Sequence, residues 1–566
     1  MPGTGPMPAV LCGKNSRAMV CCILTEGFLP AEDIAVGDGQ MREASFSRKN
    51  SVRLSYAKLR FAAVLYAAVP VAVFLLGWLK PWWGVPAAAL LAAGVLCLRP
   101  GRKGSAAPQE KALCVPAWVL AAMLAFALIW CFWGGQGGYF YQNTDFANRN
   151  GVLHDLVNYS WPVYYQSGSG GFGNHGEPFA LVYYICHWLL PALAGKAVLA
   201  VTGAAGAAWL AANFALFLWT SLGVFLVLCL LAVTLQPQGW LAVLLVCGGF
   251  MAFSGLDIVG TAWMHQDVGF HIERWAGTNE YSSMTTCLFW VFNQTVVPWL
   301  MTLCVLNEKS VENYALLGLL ALPFGPLPFV GLAVMCLGLG AVRLVQSVRA
   351  GRLPAFWREV FSRQNLLVLA AVLPVFYLYF SSNAATTMEE GRFCFYLSGR
   401  QEVDAGKELF DLVRFYMLEC GVYLALIWHD HKKDVLFYLT AASLMVYPLF
   451  RMGAAGTGDF TMRASIPALL VLACMVLGYL VRRKSVFRTG KAWEKALYIL
   501  LVAALCVGAV TPLVELWHGF IVVWNAGHFG IAYDPYGTVN HVENVYINNF
   551  VAWYLQDCPF FRFFAR

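Results

Sequence analysis

From about residue 59 onward the chain alternates apolar runs with short polar connectors. A helix crosses the hydrocarbon core of a bilayer with about 20 apolar residues, fewer where neighbours shelter it, and on that rule about thirteen spans are predicted. They fall near 59–79, 82–98, 113–133, 206–234, 239–254, 284–306, 313–324, 326–346, 365–380, 406–428, 434–450, 466–481 and 495–516. No internal repeat and no long low-complexity segment divides the series, so 59–516 reads as one all-α, polytopic membrane domain.

Basic clusters orient it, because Lys and Arg collect on the cytoplasmic side. RPGRKG at 99–104, RLVQSVRAGR at 343–352 with Arg358 and Arg363, HDHKK at 429–433 and RRK at 482–484 are expected inside. An odd number of crossings then leaves the N-terminus inside and the C-terminus outside. PFALVYYICHWLLPALAGKA at 178–197 is apolar enough to cross, but counting it would reverse the sidedness on one flank. It is therefore expected to lie along, or dip into, the outer face, with a full crossing as the alternative. The outer face receives 134–205, 255–283, 381–405, 451–465 and a tail from about 517 to 566.

Composition agrees: 59% of residues are hydrophobic and 12% charged, too apolar for a soluble globular protein of this length. The net charge of +7 resides in the short clusters between apolar runs, a topology signal that excludes a nucleic-acid surface. The 17 Cys are scattered, with no C-x-x-C pair or zinc spacing, and read as small buried hydrophobes. AMVCCIL near the start is too short for a cleavable signal and lacks a small-residue cleavage site. Residues 1–58 are read as a disordered cytoplasmic tail, with Met41 of MREASFSRKN as an alternative start.

In the first outer loop, YQNTDFANRNGVLHDL interrupts the apolar pattern abruptly. If DFANRNGVLHDL is a short helix, Asp145, Asn148, Arg149 and Asp155 share roughly a third of its circumference. Thr144 or Asn143 can cap it, and Asp145 is then explicable as a first-turn acid favoured by the helix dipole. The functional alternative makes Asp145 a general base at the membrane surface, taking a proton from an acceptor hydroxyl. Arg149 is either its ion-pair partner or a phosphate ligand.

Further outer loops carry candidates. GLDIVGTAWMHQDVGFHIERWAGTNEYSS presents Asp257, His265, Asp267, His271, Glu273 and Arg274. The pairs His265/Asp267 and His271/Glu273 offer nitrogen and oxygen ligands, although their spacing places them on one face only in a strand. Substrate contact by His271 and Glu273, or a solvated loop, are the other readings. Trp263, Trp275, Tyr281 and Trp290 can stack on a sugar or form an interfacial belt. Asn293 and Gln294 lie within a span and are expected to face the bundle interior. FRMGAAGTGDFTMRASIPALL offers Arg451, Asp459 and Arg463, the last either paired with Asp459 or placed to meet a lipid phosphate. Arg392 and Arg400 are weaker candidates, and the aromatic, Asn-rich tail from 517 is expected to cap the external cavity.

The first-loop Asp145, the segment PFALVYYICHWLLPALAGK, the YALLGLLALPFGPLPFVGLAV hairpin and the late DFTMRASIPALL together resemble the GT-C superfamily of membrane glycosyltransferases. The resemblance is one of architecture over most of 113–481. It implies an inverting enzyme in the bacterial plasma membrane that moves a sugar from a polyprenyl-phosphate donor to a glycan, lipid or protein acceptor on the outer side. Asp145 matches that family's first-loop acid and Arg463 its late phosphate-binding arginine; Arg149, Asn148, Asp155, His271 and Glu273 are expected to contact substrate. Thr144 and Phe146 stand where many members pair acids, and the neutral PFGP replaces a frequent Lys. A divalent metal is compatible with these motifs and not required by them.

Two alternatives stay open. An O-antigen-type polymerase shares the lipid carrier but should depend on arginines in two large outer loops. A transporter or flippase should show charged or broken-helix sites near the midplane and an internal repeat, neither of which the sequence displays clearly.

Overall fold

The computed structural model describes residues 51–100, 111–166, 177–269, 271–277, 279–387, 393–395, 405–452, 458–532, 539 and 547–566. The protein is mostly helical, 76%, with few strands. In chain order the helices are α1 (Tyr56–Trp78), α2 (Pro81–Leu96), α3 (Ala117–Trp133), α4 (Phe146–Asn158), α5 (Cys186–Thr202), α6 (Ala205–Leu235), α7 (Trp240–Met251), α8 (Asp257–Trp263), α9 (Met284–Asn307) and α10 (Tyr314–Ala321). There follow α11 (Pro326–Arg349), α12 (Leu353–Val360), α13 (Arg363–Ser381), α14 (Ala405–Tyr416), α15 (Val422–His431), α16 (Val435–Val446), α17 (Asp459–Ala464), α18 (Ile466–Arg482), α19 (Ala492–Gly508) and α20 (Val510–Ala526).

Every predicted apolar run contains helix, the run 113–133 after opening on a short strand. By length and composition, six helical stretches among the described residues can cross a membrane: α1, α6, α9, α11, the run Leu353–Ser381 and the run Ala492–Ala526. Side chains that a soluble protein would bury stand exposed around the bundle, among them Leu337 at 73% and Trp517 at 61%, a surface suited to lipid. Local chemistry sets the starts: Ser55, Ser283 and Ser362 cap α1, α9 and α13 through their hydroxyls, and Pro81 and Pro326 open α2 and α11 where no amide is needed.

Among the described residues, the basic clusters at 343–352, 429–433 and 482–484 gather at one end of the bundle. There Lys111 donates to Asn307, Asn307 to Thr234, Lys484 to Gln238, and Arg60 pairs with Glu308 at 2.8 Å. The loops 134–145 and 252–283 emerge at the other end. Strands are confined to small pairings: β1 (Ser51–Ser55) with β2 (Ala112–Pro116) at the basic end, and an antiparallel trio of β3 (Tyr164–Tyr165), β4 (Phe179–Leu181) and a late strand Val551–Ala552.

Three boundaries are corrected. Strand Ser51–Ser55 and the start of α1 at Tyr56 fall within the expected tail; residues 1–50 lie outside the described residues. Segment 178–197 is not one helix, because Phe179–Leu181 is the middle strand of that trio and helix begins at Cys186. The expected tail is helical through Ala526, and its later part folds back onto the first loop, where Gln142 and Ile531 are bonded backbone to backbone at 3.0 Å.

Helix α5 runs antiparallel along the loop-side half of α6. His187 Nε2 lies 2.9 Å from Thr220 Oγ1, and at Gly195 an added Cβ would sit 3.0 Å from the Ala208 carbonyl oxygen and 2.9 Å from Val157. A backbone oxygen cannot swing away as a flexible side chain can. Gly195→Leu should therefore lower the detergent-solubilised protein's thermal midpoint, at a cost of about 1–3 kcal/mol. An unchanged midpoint would contradict this close approach.

Candidate functional site

The first loop is held by α9. That helix is broken at Val291 (φ −138°, ψ 38°), and the carbonyls just before the break each accept a side-chain donor. Thr295 Oγ1 donates to Cys287 O at 3.0 Å, Gln136 Nε2 to Leu288 O at 2.9 Å and Asn143 Nδ2 to Phe289 O at 3.0 Å. The loop reaches them through a tight reversal. Gly135 has φ +79°, and a side chain there would strike the Tyr141 carbonyl oxygen at 2.3 Å.

Asn143 also launches the expected helix, α4: its Oδ1 accepts from the Asp145 amide at 3.1 Å. Arg149 Nη2 then donates to Asp145 Oδ2 at 2.7 Å, joining a side chain 6% exposed to one 45% exposed. The Arg149 guanidinium lies against the stacked Phe146 and Phe292 rings, 5.5 Å from each. Asn148 is half-buried on the same helix.

Arg463, on α17, pairs with Asp459 at 2.7 Å. Burial opposes its charge, but Asp459, Tyr184, Tyr183 and Asp145 together hold its pKa above the usual range. The Tyr183 phenol is pushed up by burial and by Tyr184, while Arg149 and Arg463 pull it down. Asp145, Arg149 and Arg463 thus act on one another around the Tyr183/Tyr184 pair, whose ring centroids are 3.7 Å apart. The mixed aromatic content of 178–197 was the only sequence signal for these two tyrosines.

Asp155 does not join this rim, contrary to the helical-wheel expectation. It is fully buried, accepting from Tyr165 Oη at 2.5 Å and from the Val539 amide at 2.8 Å, with His154 Nδ1 at 3.1 Å. Burial raises its pKa despite those bonds. Its role is to tie α4, β3 and the C-terminal segment together.

A second cluster lies between α8, α9 and α20. The segment is not a strand, so the i,i+2 spacing does not align the two pairs: His265 and Asp267 are exposed, and Ile272–Ala276 is a 3-10 turn. His271 and Glu273 meet Glu280 instead, each offering a ligand atom within 4.8 Å of the others. His271 Nδ1 lies 3.0 Å from Glu515 Oε1, and Trp290 Nε1 donates to Glu515 Oε2 at 3.1 Å. Burial works against a charged His271, but Glu280 and Glu515 outweigh it and raise its pKa to about 10. Burial drives Glu273 well above the usual carboxylate range, whereas His271 and Arg274 overcome burial and lower Glu280.

Behind them, Asp257 accepts from Ser254 at 2.7 Å and from Thr511 at 2.8 Å, and Glu419 accepts from Trp275 at 2.8 Å. Glu419 sits in a π-helical turn, Met417–Gly421, between α14 and α15. Its carboxylate would lie 2.0 Å from any Cβ at position 255, so only glycine fits there.

Of the aromatic residues singled out here, Trp275 and Tyr281 are buried, Trp290 donates to Glu515 and Trp263 is exposed. Asn293 and Gln294 face the interior as expected, and neither amide atom of Asn293 has a partner among the described residues. Arg451 is buried on the strand Phe450–Met452, and Arg392 and Arg400 lie outside the described residues. Glu280, Glu419 and Glu515 were not anticipated. The signal for the last two was present in MLECGVYL and PLVELWHGF, where an ionisable residue interrupts a membrane helix.

Asp155→Ala would strand the Tyr165 hydroxyl and the Val539 amide, at about 1–3 kcal/mol for each buried donor left unpaired. The expected result is faster proteolytic cleavage after Ala526 with the helical content preserved. Unchanged cleavage would mean that Asp155 does not hold the C-terminal segment.

In comparisons with known proteins, no family model matches this chain, and no curated protein or solved structure is significantly similar to it.

Proposed function

We propose that this protein is a membrane glycosyltransferase of the GT-C kind. It moves a sugar from a polyprenyl-phosphate donor to a glycan, lipid or protein acceptor at the loop-bearing face, which is the outer face when the basic end is cytoplasmic. The reading is carried by the half-exposed Asp145, bonded to Arg149 and felt electrostatically by Arg463. A carboxylate open to solvent, close to two guanidinium groups of which one is held by a second acid, Asp459, is what such a transfer asks of a membrane rim.

In this mechanism the acceptor hydroxyl gives its proton to Asp145 as its oxygen attacks the anomeric carbon. The bond from that carbon to the phosphate oxygen breaks, and its electron pair leaves with the phosphate. Arg463 and Arg149 hold that growing negative charge through charge-assisted hydrogen bonds. A single displacement from the face opposite the leaving group inverts the anomeric centre. No nucleotide-binding loop is needed, because the donor is already activated.

A second reading, transport or flipping of a lipid-linked substrate, draws on the break in α9 at Val291 and on the buried carboxylates beside it. Glu419 and Glu515 stand out in the sequence as acids inside apolar runs, whereas the break at Val291 does not.

In membranes supplied with a panel of polyprenyl-phosphate sugars, Asp145→Asn should reduce transfer by about 10²–10⁴-fold while leaving the thermal midpoint near wild type. Transfer at the wild-type rate by a folded Asp145→Asn protein would remove Asp145 as the base. Substrate translocation in proteoliposomes with no covalent transfer from any donor would favour the second reading.

A further inference from the structure

We infer that His271, Glu273 and Glu280 form a binding site for a divalent cation of the Mn²⁺ or Zn²⁺ class, with Glu515 as the carboxylate that orients the histidine. The inference is independent of the transferase reading and of the Asp145 rim.

The first argument is geometric. One imidazole nitrogen and two carboxylate oxygens converge within 4.8 Å, all on partly or fully buried side chains. His271 Nε2 and Glu280 Oε1 are 3.7 Å apart, too far for a good hydrogen bond. Two ligands held at about 2.1 Å from one ion with tetrahedral angles are about 3.4 Å apart, so a small closure completes the set. Mixed nitrogen and oxygen donors suit Mn²⁺ and Zn²⁺ better than Ca²⁺, which takes oxygen ligands.

The second is an orphaned atom. Glu273 is 1% exposed, and its Oε1 accepts from the Ser283 amide at 2.8 Å. Its Oε2 is buried with no hydrogen-bond partner among the described residues. An unpaired carboxylate oxygen away from water is costly, and a bound cation removes that cost.

The third is the outer layer. A metal-bound histidine usually gives its other ring N–H to a carboxylate, which fixes the tautomer and aims the ligating nitrogen. Glu515 Oε1 stands 3.0 Å from His271 Nδ1, leaving Nε2 for the ion, and Trp290 secures the other oxygen of Glu515. This layer comes from α9 and α20, far from the ligand loop in sequence.

The fourth is charge. Glu273, Glu280 and Glu515 surround the imidazole, with Asp257 and Glu419 packed behind them. The nearest fixed cation is Arg274, 68% exposed and 3.6 Å from Glu280. Once ionised, carboxyl groups packed this closely away from water need neutralising, and a divalent ion at their centre does so. A small cavity of about 10 Å³, lined by Trp133, Tyr141, Asn143, Trp290 and His518, borders Glu515 on the side away from the ligands.

The test uses the full-length protein in detergent, stripped with chelator and titrated with Mn²⁺ under electron paramagnetic resonance. The expected result is one saturable Mn²⁺ per chain whose echo modulation shows a single directly bound ¹⁴N. His271→Gln should abolish that nitrogen signal, and Glu273→Gln should weaken binding at least tenfold. Trp290→Phe keeps every ligand and should raise the Kd by about 10-fold through Glu515 alone, so the test survives if a ligand variant fails to fold. Absence of saturable binding by wild type, or a nitrogen signal that persists in folded His271→Gln, would overturn the site.

Discussion

The break in α9 is the constraint on which the rest of this architecture depends. Away from water, a distorted helix has no solvent to satisfy its backbone, so partners must come from the protein. Here Thr295, Gln136 and Asn143 bond the Cys287, Leu288 and Phe289 carbonyls. Two of the three donors belong to the first loop, which is thereby pinned to the helix. Asp145 is positioned as a consequence, because the same Asn143 that binds Phe289 also receives the Asp145 amide.

Charge is distributed around that helix in two styles. On one side Asp145, Arg149, Asp459 and Arg463 are balanced pairs at a rim, each acid more exposed than its arginine. Such pairs can exchange partners with an incoming anion because half of each is already solvated. On the other side five carboxylates are buried around one imidazole, a surplus that the protein's own exposed Arg274 does not offset. The first arrangement suits a substrate that comes and goes; the second suits a resident ion or a transferable proton.

The helices were legible because an apolar run of sufficient length has few alternatives in a chain this hydrophobic. The Asp145–Arg149 pair was legible because side chains four residues apart on a helix meet. Asp155 was misplaced for the complementary reason: the helical wheel records which residues share a face, not what covers that face, and Val539 lies nearly 400 positions away in the chain. His271 and Glu273 were flagged by residue type, but their spacing alone could not bring them together, and the true partners Glu280 and Glu515 come from the end of the loop and a distant helix. Tertiary convergence of this kind leaves no periodic trace. Only the isolated Glu in an apolar run betrays it, and Glu515 and Glu419 are both such residues.

The two candidate sites are not mechanically separate. Trp290 adjoins Phe289, whose carbonyl Asn143 binds, and the Trp290 indole holds Glu515 in place. Phe292, two residues further on, supports the Arg149 guanidinium. One irregular turn of α9 therefore touches the acid of the rim through Asn143, its arginine through Phe292 and the buried cluster through Trp290. Occupancy of the cluster, by fixing Glu515 and Trp290, must also fix the turn from which Asp145 is suspended. A bound ion would in this way order the rim without contacting it, and the break in α9 is what makes that connection so short.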